Sequence, residues 1–525
     1  MSADLSRASL GIELGSTRIK ACLVGEDPSI VLAVGEFEWE NQLVDGRWSY
    51  SLDSVWTGVQ AAYADLVGKL PEKPTTFAAI GISAMMHGYL AFDAADELLV
   101  PFRTWRNTST GAAAAELTSA FGVNIPLRWS IAHLHQAVLD AEPHVGDVRF
   151  LTTLAGYVHH RLTGERVLGV GDASGMFPIG DATRSYDPEL VARYDALAAG
   201  RVAPLSELLP RVLPAGRDAG TLTAQGAALL DPSGVLAPGI LFCPPEGDAG
   251  TGMVATNSVA PRAGNVSAGT SIFAMVVLER PLQQVHEELD VVTTPAGDPV
   301  AMVHCNNGAS ELAAWVAVFR RFAEAAGAPV GQDAAFEALF REALHGEADA
   351  GGILAYNQLA GEPIAGLAEG RPLVVRTDDS RFTLANFMRA QLYGVFGTLA
   401  LGMRVLAGEK VELDQMFAHG GMFRTAGVAQ RFLAGALDAP VSVAETASEG
   451  GAWGMAVLAS FVKDGDGRTL DSYLRERVFD DASFETIAPV PADVAGFASY
   501  LETYDAGLAI ERAAVEALTL KGTTP

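Results

Sequence analysis

The chain holds 525 residues, of which 49% are apolar and 19% charged, and its formal net charge is −27. That length is too great for one hydrophobic core and predicts two domains of about 200 residues or somewhat more, with little disorder. The acidic balance excludes a nucleic-acid partner, whose phosphates need a basic face, and an anionic membrane surface; its plain meaning is solubility. Three cysteines, Cys22, Cys243 and Cys305, sit among apolar residues without metal-ligand spacing, as expected of a reduced, cytoplasmic protein. No run approaches the roughly 18 apolar residues that span a bilayer, and the first residues lack the basic start and apolar stretch of a signal peptide.

In chain order, residues 9–24 read as an apolar strand, a tight turn at Gly15-Ser16-Thr17 and a second strand. A third strand, over 30–38, follows the turn Glu26-Asp27-Pro28. Three successive strands make an antiparallel meander, unlike the strand–helix opening of a Rossmann unit. The spacing of Val55, Val59, Ala62 and Leu66 predicts a helix over 52–70, and a strand follows over 77–83. Segments 111–121 and 131–142 are helical by propensity. Residues 231–250, rich in Pro and Gly, read as a crossover between domains, dividing the chain into 1–255 and 256–525.

The second half opens with an echo of the first. A strand runs into Gly269-Thr270-Ser271 and a second strand leaves over 272–279, matching Gly15-Ser16-Thr17 and its flanks. Helices are predicted over 309–327, 333–345 and 384–407, then a strand over 415–418 and a helix over 425–437. The turn Glu449-Gly450-Gly451-Ala452-Trp453-Gly454 opens a further apolar helix, and the C-terminal region reads as surface helices.

With six lysines and no G-x-x-x-x-G-K-[ST] segment, the chain has no P-loop. It has no H-E-x-x-H or Cys/His cluster for zinc and no G-x-S-x-G elbow. The two Gly-hydroxyl turns offer what a triphosphate needs instead: close backbone approach, consecutive N–H groups and hydroxyl donors. Glu13 points by alternation to the same side as Gly15, where it could hold magnesium through water. Asp248, in the Gly-rich segment Gly247-Asp248-Ala249-Gly250, could serve as the base that phosphoryl transfer to an alcohol requires. Trp105-Arg106-Asn107 offers a polar, aromatic sugar contact, and Met86-His87-Gly88 ends a strand with a lone His. Gly420, Gly421, Met422, Gly450 and Gly451 could line an adenosine slot. Hairpin turns, helix caps, a turn-forming Asp and a satisfied structural His explain the same residues without function.

These segments, in this order, resemble the FGGY family of carbohydrate kinases across essentially the whole chain. Gly11-Ile12-Glu13-Leu14-Gly15-Ser16-Thr17 with Ile19-Lys20-Ala21 resembles the family's first phosphate motif. Ser267-Ala268-Gly269-Thr270-Ser271 is similar to the second, and Gly247-Asp248 to the segment bearing the catalytic aspartate. His419-Gly420-Gly421 and Glu449-Gly450-Gly451 resemble the adenosine motifs, and Leu162-Thr163-Gly164, Asp172-Ala173-Ser174 and Leu359-Ala360-Gly361-Glu362 match lesser landmarks. The resemblance implies an α/β, actin-like fold with two RNase H-like domains around a central cleft, sugar bound mainly by the first and ATP by the second. It implies Asp248 as catalytic base, Glu13 and Asp248 as magnesium sites, and Met86, His87, Gly88, Trp105, Arg106 and Asn307 as substrate contacts. It implies ATP contacts at Gly15, Ser16, Thr17, Lys20, Gly269, Thr270, Ser271, Gly420, Gly421, Met422, Gly450 and Gly451.

Met86-His87-Gly88 is similar to the substrate motif of xylulose kinases and favours a pentulose such as D-xylulose. L-Ribulose, another ketose or a polyol stay as alternatives, as does an actin-like nucleotide switch without sugar chemistry. A homodimer is left open. Glu13 stands where the family usually has Asp, Trp105-Arg106-Asn107-Thr108 replaces a Trp-x-Asp pattern, and Trp48-Ser49-Tyr50 lacks a Glu often found there.

Overall fold

A computed structural model describes residues 4–444, 450–480 and 482–518. Strand β1 (Ser9–Leu14) turns back into β2 (Arg18–Val24), which pairs antiparallel with β1 and with β3 (Val31–Glu38). Helix α1 (Leu52–Gly68) buries Val55, Val59, Ala62 and Leu66, the stripe its sequence predicts. Strand β4 (Ala79–Ala84) then lies parallel to β1. Two short strands, β5 (Leu241–Phe242) and β6 (Glu246–Gly247), pair parallel with β4. The segment 231–250, expected as a crossover, therefore completes the first sheet. Strands of two residues carry no periodicity that would reveal them.

Helix α2 (Asp248–Ala255) leads to the second sheet. There β7 (Ala263–Ala268) pairs antiparallel with β8 (Ile272–Val277), and an edge strand, β9 (Asp290–Thr293), pairs antiparallel with β10 (Pro299–Cys305), which pairs with β8. After the core helix α3 (Leu384–Gly408), β11 (Gln415–His419) lies parallel to β7. Helix α4 (Val428–Leu437), strand β12 (Val441–Ala444), helix α5 (Gly450–Asp464), strand β13 (Phe484–Ile487) and helix α6 (Pro491–Ala517) follow. The spatial orders are β3-β2-β1-β4-β5 in the first sheet and β9-β10-β8-β7-β11-β12-β13 in the second. Five inner strands of the second, β10-β8-β7-β11-β12, retrace the path of the first, which is the two-domain actin-like architecture.

Two elements differ from expectation. Helix α6 buries Phe497, Tyr500, Tyr504 and Leu508 rather than lying on the surface, and Tyr504 stacks on Tyr356 at 4.7 Å. Helix α3 is long and apolar enough to cross a membrane by length and composition, but 72% of that stretch is buried inside the protein.

The join between the halves is close. Helix α5, from the second half in sequence, lies on β1 and β4 of the first and against α2. A Cβ on Gly11 would stand 2.3 Å from Ala452 O, so the helix backbone rests directly on the strand backbone. Buried Cys22, Met253, Met455 and Val292 accordingly fall in one apolar cluster shared by both halves. Gly11→Val should destabilise the fold by about 3 kcal/mol or more, since neither backbone can give way. Thermal melts monitored by circular dichroism check this; an unchanged melting temperature would contradict the contact.

Candidate active site

A cavity of about 400 Å³ lies between the sheets, walled by Glu13, Met86, His87 and Asp248 from the first half and by Ser267, Ser271 and His304 from the second. Asp248 is the first residue of α2, directly after β6, so the pairing of β6 with β4 fixes its backbone. Its Oδ1 accepts the N–H of Met86 at 3.2 Å and of Ala249 at 3.0 Å. Burial pushes its pKa up to about 6, and these two bonds hold it from rising further.

Glu13 sits across the β1–β2 ladder from Lys20 and beside Ser83 of β4. Burial, then repulsion by Asp248, raises its pKa to about 7, while Lys20 opposes the shift. The two carboxylates thus feel each other across one cavity. Gly451 makes room for Glu13, since a Cβ there would stand 2.1 Å from Oε1.

The two Gly-hydroxyl turns close differently. Gly15 N donates to Arg18 O at 2.9 Å, whereas Gly269 N donates to Ser271 O at 2.9 Å. Aromatic groups brace the first: Trp39 Nε1 donates to Gly15 O at 2.8 Å, Tyr50 OH to Ser16 O at 2.6 Å and Trp105 Nε1 to Ser16 Oγ at 3.3 Å. Gly308 and Ala309 brace the second, donating to Thr270 O at 2.7 Å and Gly269 O at 2.9 Å. Thr17, Gly269 and Thr270 are exposed, and Ser271 reaches the cavity wall.

His87 is buried with φ +67°. Burial, reinforced by the charge of Arg128, lowers its pKa to about 3, so the ring is neutral. Its Nδ1 lies 3.1 Å from Gly175 O. A carbonyl only accepts, so Nδ1 carries the proton and Nε2 is left as an acceptor.

Of the residues singled out in the sequence, Glu13, Met86, His87, Trp105, Asp248, Ser271, Gly450 and Gly451 share the cavity lining. Gly15, Ser16, Thr17, Lys20, Gly269, Thr270, Gly420 and Gly421 lie outside it, with Ser16 joined through Trp105 and Gly420 next to the lining residue His419. Gly88 is buried behind it, its N–H 3.3 Å from Arg128 O. Arg106 is exposed and stacks over Trp48 at 5.0 Å. Met422 is packed into the second core. Asn307 does not reach the cavity. Its Oδ1 accepts from Leu359 N and Ala360 N at 2.9 Å, and its Nδ2 donates to Ala360 O and Glu362 Oε2, so it brackets the loop behind the second turn. Glu449 lies outside the described residues.

Sequence reasoning missed Arg128, Asn265 and His304, all on the lining. Alternation back from Ser267 would have put Asn265 on the same face. Arg128 sits in a loop and gives no such signal. Also missed was a buried acid pair behind Asp248. Glu246 accepts from Gly171 N at 3.3 Å and Asp172 N at 3.0 Å, while Asp172 accepts from Thr153 Oγ1 at 2.6 Å. Burial pushes Glu246 up to about 8 and Asp172 up to about 7.

Comparison with known proteins shows matches over both halves. The sequence model of the FGGY family of carbohydrate kinases, N-terminal domain, matches residues 8–236, and that of the C-terminal domain matches residues 264–462. A xylulose kinase of Streptomyces coelicolor is 26% identical over 232 residues, which is 42% of this chain and 46% of that protein, so the aligned part spans under half of the relative's length. Among solved structures, a xylulose kinase from Rhodospirillum rubrum superposes with a TM-score of 0.78 at 22% identity, covering 96% of this chain and 98% of that one. A gluconate kinase from Lactobacillus acidophilus superposes with a TM-score of 0.76 at 16% identity, covering 98% of each chain.

The buried acids set a pH dependence of stability. Unfolded, Glu246 ionises near 4.5 and Asp172 near 3.8; folded, both hold their protons to about 8 and 7. A raised folded pKa means the stabilisation is complete below the unfolded value and lost as pH rises through the folded one. Buried histidines act with the opposite sign, below their unfolded pKa of 6.5. Between about pH 6.5 and 9 the melting temperature should therefore fall, and fall less in Glu246→Gln. Parallel slopes for the two proteins would contradict the assignment.

Proposed function

The chain belongs to the FGGY family of carbohydrate kinases, and from that premise we propose that it transfers the γ-phosphoryl group of ATP to a terminal hydroxyl of a small sugar, with a pentulose such as D-xylulose as the favoured acceptor. One observation carries the reading. A carboxylate at the start of a helix, Asp248, is anchored through Oδ1 by two backbone N–H groups and shares a cavity with Ser271 of the second hairpin turn. Oδ2 is then the atom that takes the hydroxyl proton. The freed oxygen attacks the γ-phosphorus, the bond to the β–γ bridging oxygen breaks, and ADP leaves.

The turns at Gly15–Thr17 and Gly269–Ser271 would hold the phosphates with backbone N–H groups and hydroxyls, where negative charge spreads in the transition state. Gly420, Gly421 and the opening of α5 at Gly450 and Gly451 would admit the adenosine. Sugar would lie toward Met86, His87 and Trp105, with His87 Nε2 accepting from a hydroxyl. The moving bodies are taken as 1–255 and 256–525, joined through α2 and α5, and their closure would exclude water from the transfer.

The donor set fits magnesium. Two carboxylates, Glu13 and Asp248, repel each other across the cavity, and no group of three or more His, Cys, Asp or Glu able to hold a metal occurs among the described residues. An ion that keeps most of its water suits so few protein ligands. Magnesium held there would neutralise phosphate charge. The buried, thiol-bearing Cys22, Cys243 and Cys305, set among apolar residues, support a reducing, cytoplasmic setting.

The likeness to a gluconate kinase, nearly as close as that to a xylulose kinase, keeps other acceptors in the test. A coupled ADP-release assay across D-xylulose, L-ribulose, other ketoses, polyols and gluconate should give its highest kcat/KM with a pentulose. ATP hydrolysis unaffected by every sugar would point to a nucleotide switch instead. Asp248→Asn should lower sugar-dependent kcat by about 10²–10⁴. Because the base must be ionised, wild-type kcat/KM should rise with pH through about 6. Near-normal turnover by the variant would remove Asp248 from this role.

A further inference from the structure

Part of the cavity wall is one face of the second sheet, and strand register orders its side chains. Ser267 pairs with Phe273, which pairs with His304; one step along, Asn265 pairs with Met275, Met275 with Met302 and Met302 with Asp290. Residues two apart share a face. Asp290 and Val292 therefore lie on the face that Ser267, Phe273 and His304 turn to the cavity, and Val292 and Met302 line it as well.

The row ends on edge strand β9. An edge strand ordinarily leaves its polar groups to solvent. This one is docked on the first half: Thr293 N donates to Ser174 Oγ and Thr293 Oγ1 to Val170 O, both at 3.0 Å, and Asn124 Nδ2 donates to Leu289 O at 2.9 Å. At the end of this seam, the carboxylate of Asp290 accepts from Nη2 of Arg128, an ion pair whose side chains are only 21% (Arg) and 11% (Asp) exposed. Arg128 belongs to the loop that receives the Gly88 N–H, so it stands against Met86-His87-Gly88, and it lines the cavity. A guanidinium carries five N–H donors, and the bond to Asp290 uses one nitrogen.

Resting on the sugar-kinase reading, we infer that Asp290 is a positioning residue for the acceptor: it holds the Arg128 guanidinium across the boundary between the halves, aiming the remaining N–H groups at oxygens of the bound sugar. The acceptor pocket is then complete only while the second sheet is docked. The same docking sets Ser271, of the second turn, in one cavity with Asp248. Arg128 is the contact, and Asp290 acts through it.

The test is steady-state kinetics with D-xylulose, or whichever panel sugar the wild-type enzyme prefers, and ATP varied separately. Asp290→Asn should raise the sugar KM by about tenfold or more, with ATP KM changed by less than about twofold. It should also raise the share of ATP hydrolysed without sugar, and Asp290→Glu should recover part of the loss. A sugar KM within about twofold of wild type, or sugar and ATP KM rising together, would overturn the inference. If Asp290→Asn does not fold by circular dichroism, Asp290→Glu carries the same KM comparison. A wild-type protein inactive on every sugar sinks the kinase reading itself. An active wild type with an unaffected Asp290→Asn sinks this inference alone.

Discussion

Helix α5 lies backbone to backbone on β1 and on α2, and the rest of the site depends on that contact. A Cβ on Gly11 would meet Ala452 O at 2.3 Å, one on Gly454 would meet Thr251 O at 2.1 Å, and one on Gly451 would meet Glu13 Oε1 at 2.1 Å. No side chain can enter any of the three places without separating main chains or displacing Glu13. The closeness lets a helix that follows the last inner strand of the second sheet pack on the first. It also sets Glu13, Asp248, Gly450 and Gly451 around one space. Apolar burial holds the contact in place, since Met253 of α2 and Met455 of α5 are both fully buried.

Electrostatics follow from the same geometry. The cavity gathers carboxylates away from water, and burial raises Glu13 and Asp248 to about 7 and 6. Both values lie close enough to neutrality for modest changes in local charge to move the protonation state. A bound polyphosphate adds negative charge to such a space. Arg128 lines that cavity, and Lys20 lies opposite Glu13 on the β1–β2 ladder.

What the sequence revealed was what local rules govern. The hairpins around Gly15-Ser16-Thr17 and Gly269-Thr270-Ser271 are short-range events, in which turn residues and flanking alternation specify the outcome together. Their repetition disclosed the duplicated architecture, and the stripe of α1 was plain from spacing. Strands β5 and β6 were not legible, because their position comes from pairing with β4 and not from their own pattern. The burial of α6 depends on partners such as Tyr356, far away in the chain. Asn307 was expected as a sugar contact only through the family resemblance, and in the structure its amide bonds the 359–362 loop. Arg128 and Asp290 come together over 162 residues of intervening chain, and nothing local marks either.

In the proposed reaction, hairpin turns from both halves grip a triphosphate while Asp248 activates an alcohol between them. A crystal structure with a non-hydrolysable ATP analogue, magnesium and D-xylulose tests it most directly. The account predicts the γ-phosphate between Gly15–Thr17 and Gly269–Ser271, with a sugar hydroxyl within hydrogen-bond distance of Asp248 Oδ2. A nucleotide bound away from either turn, or a sugar hydroxyl directed away from that carboxylate, would contradict it.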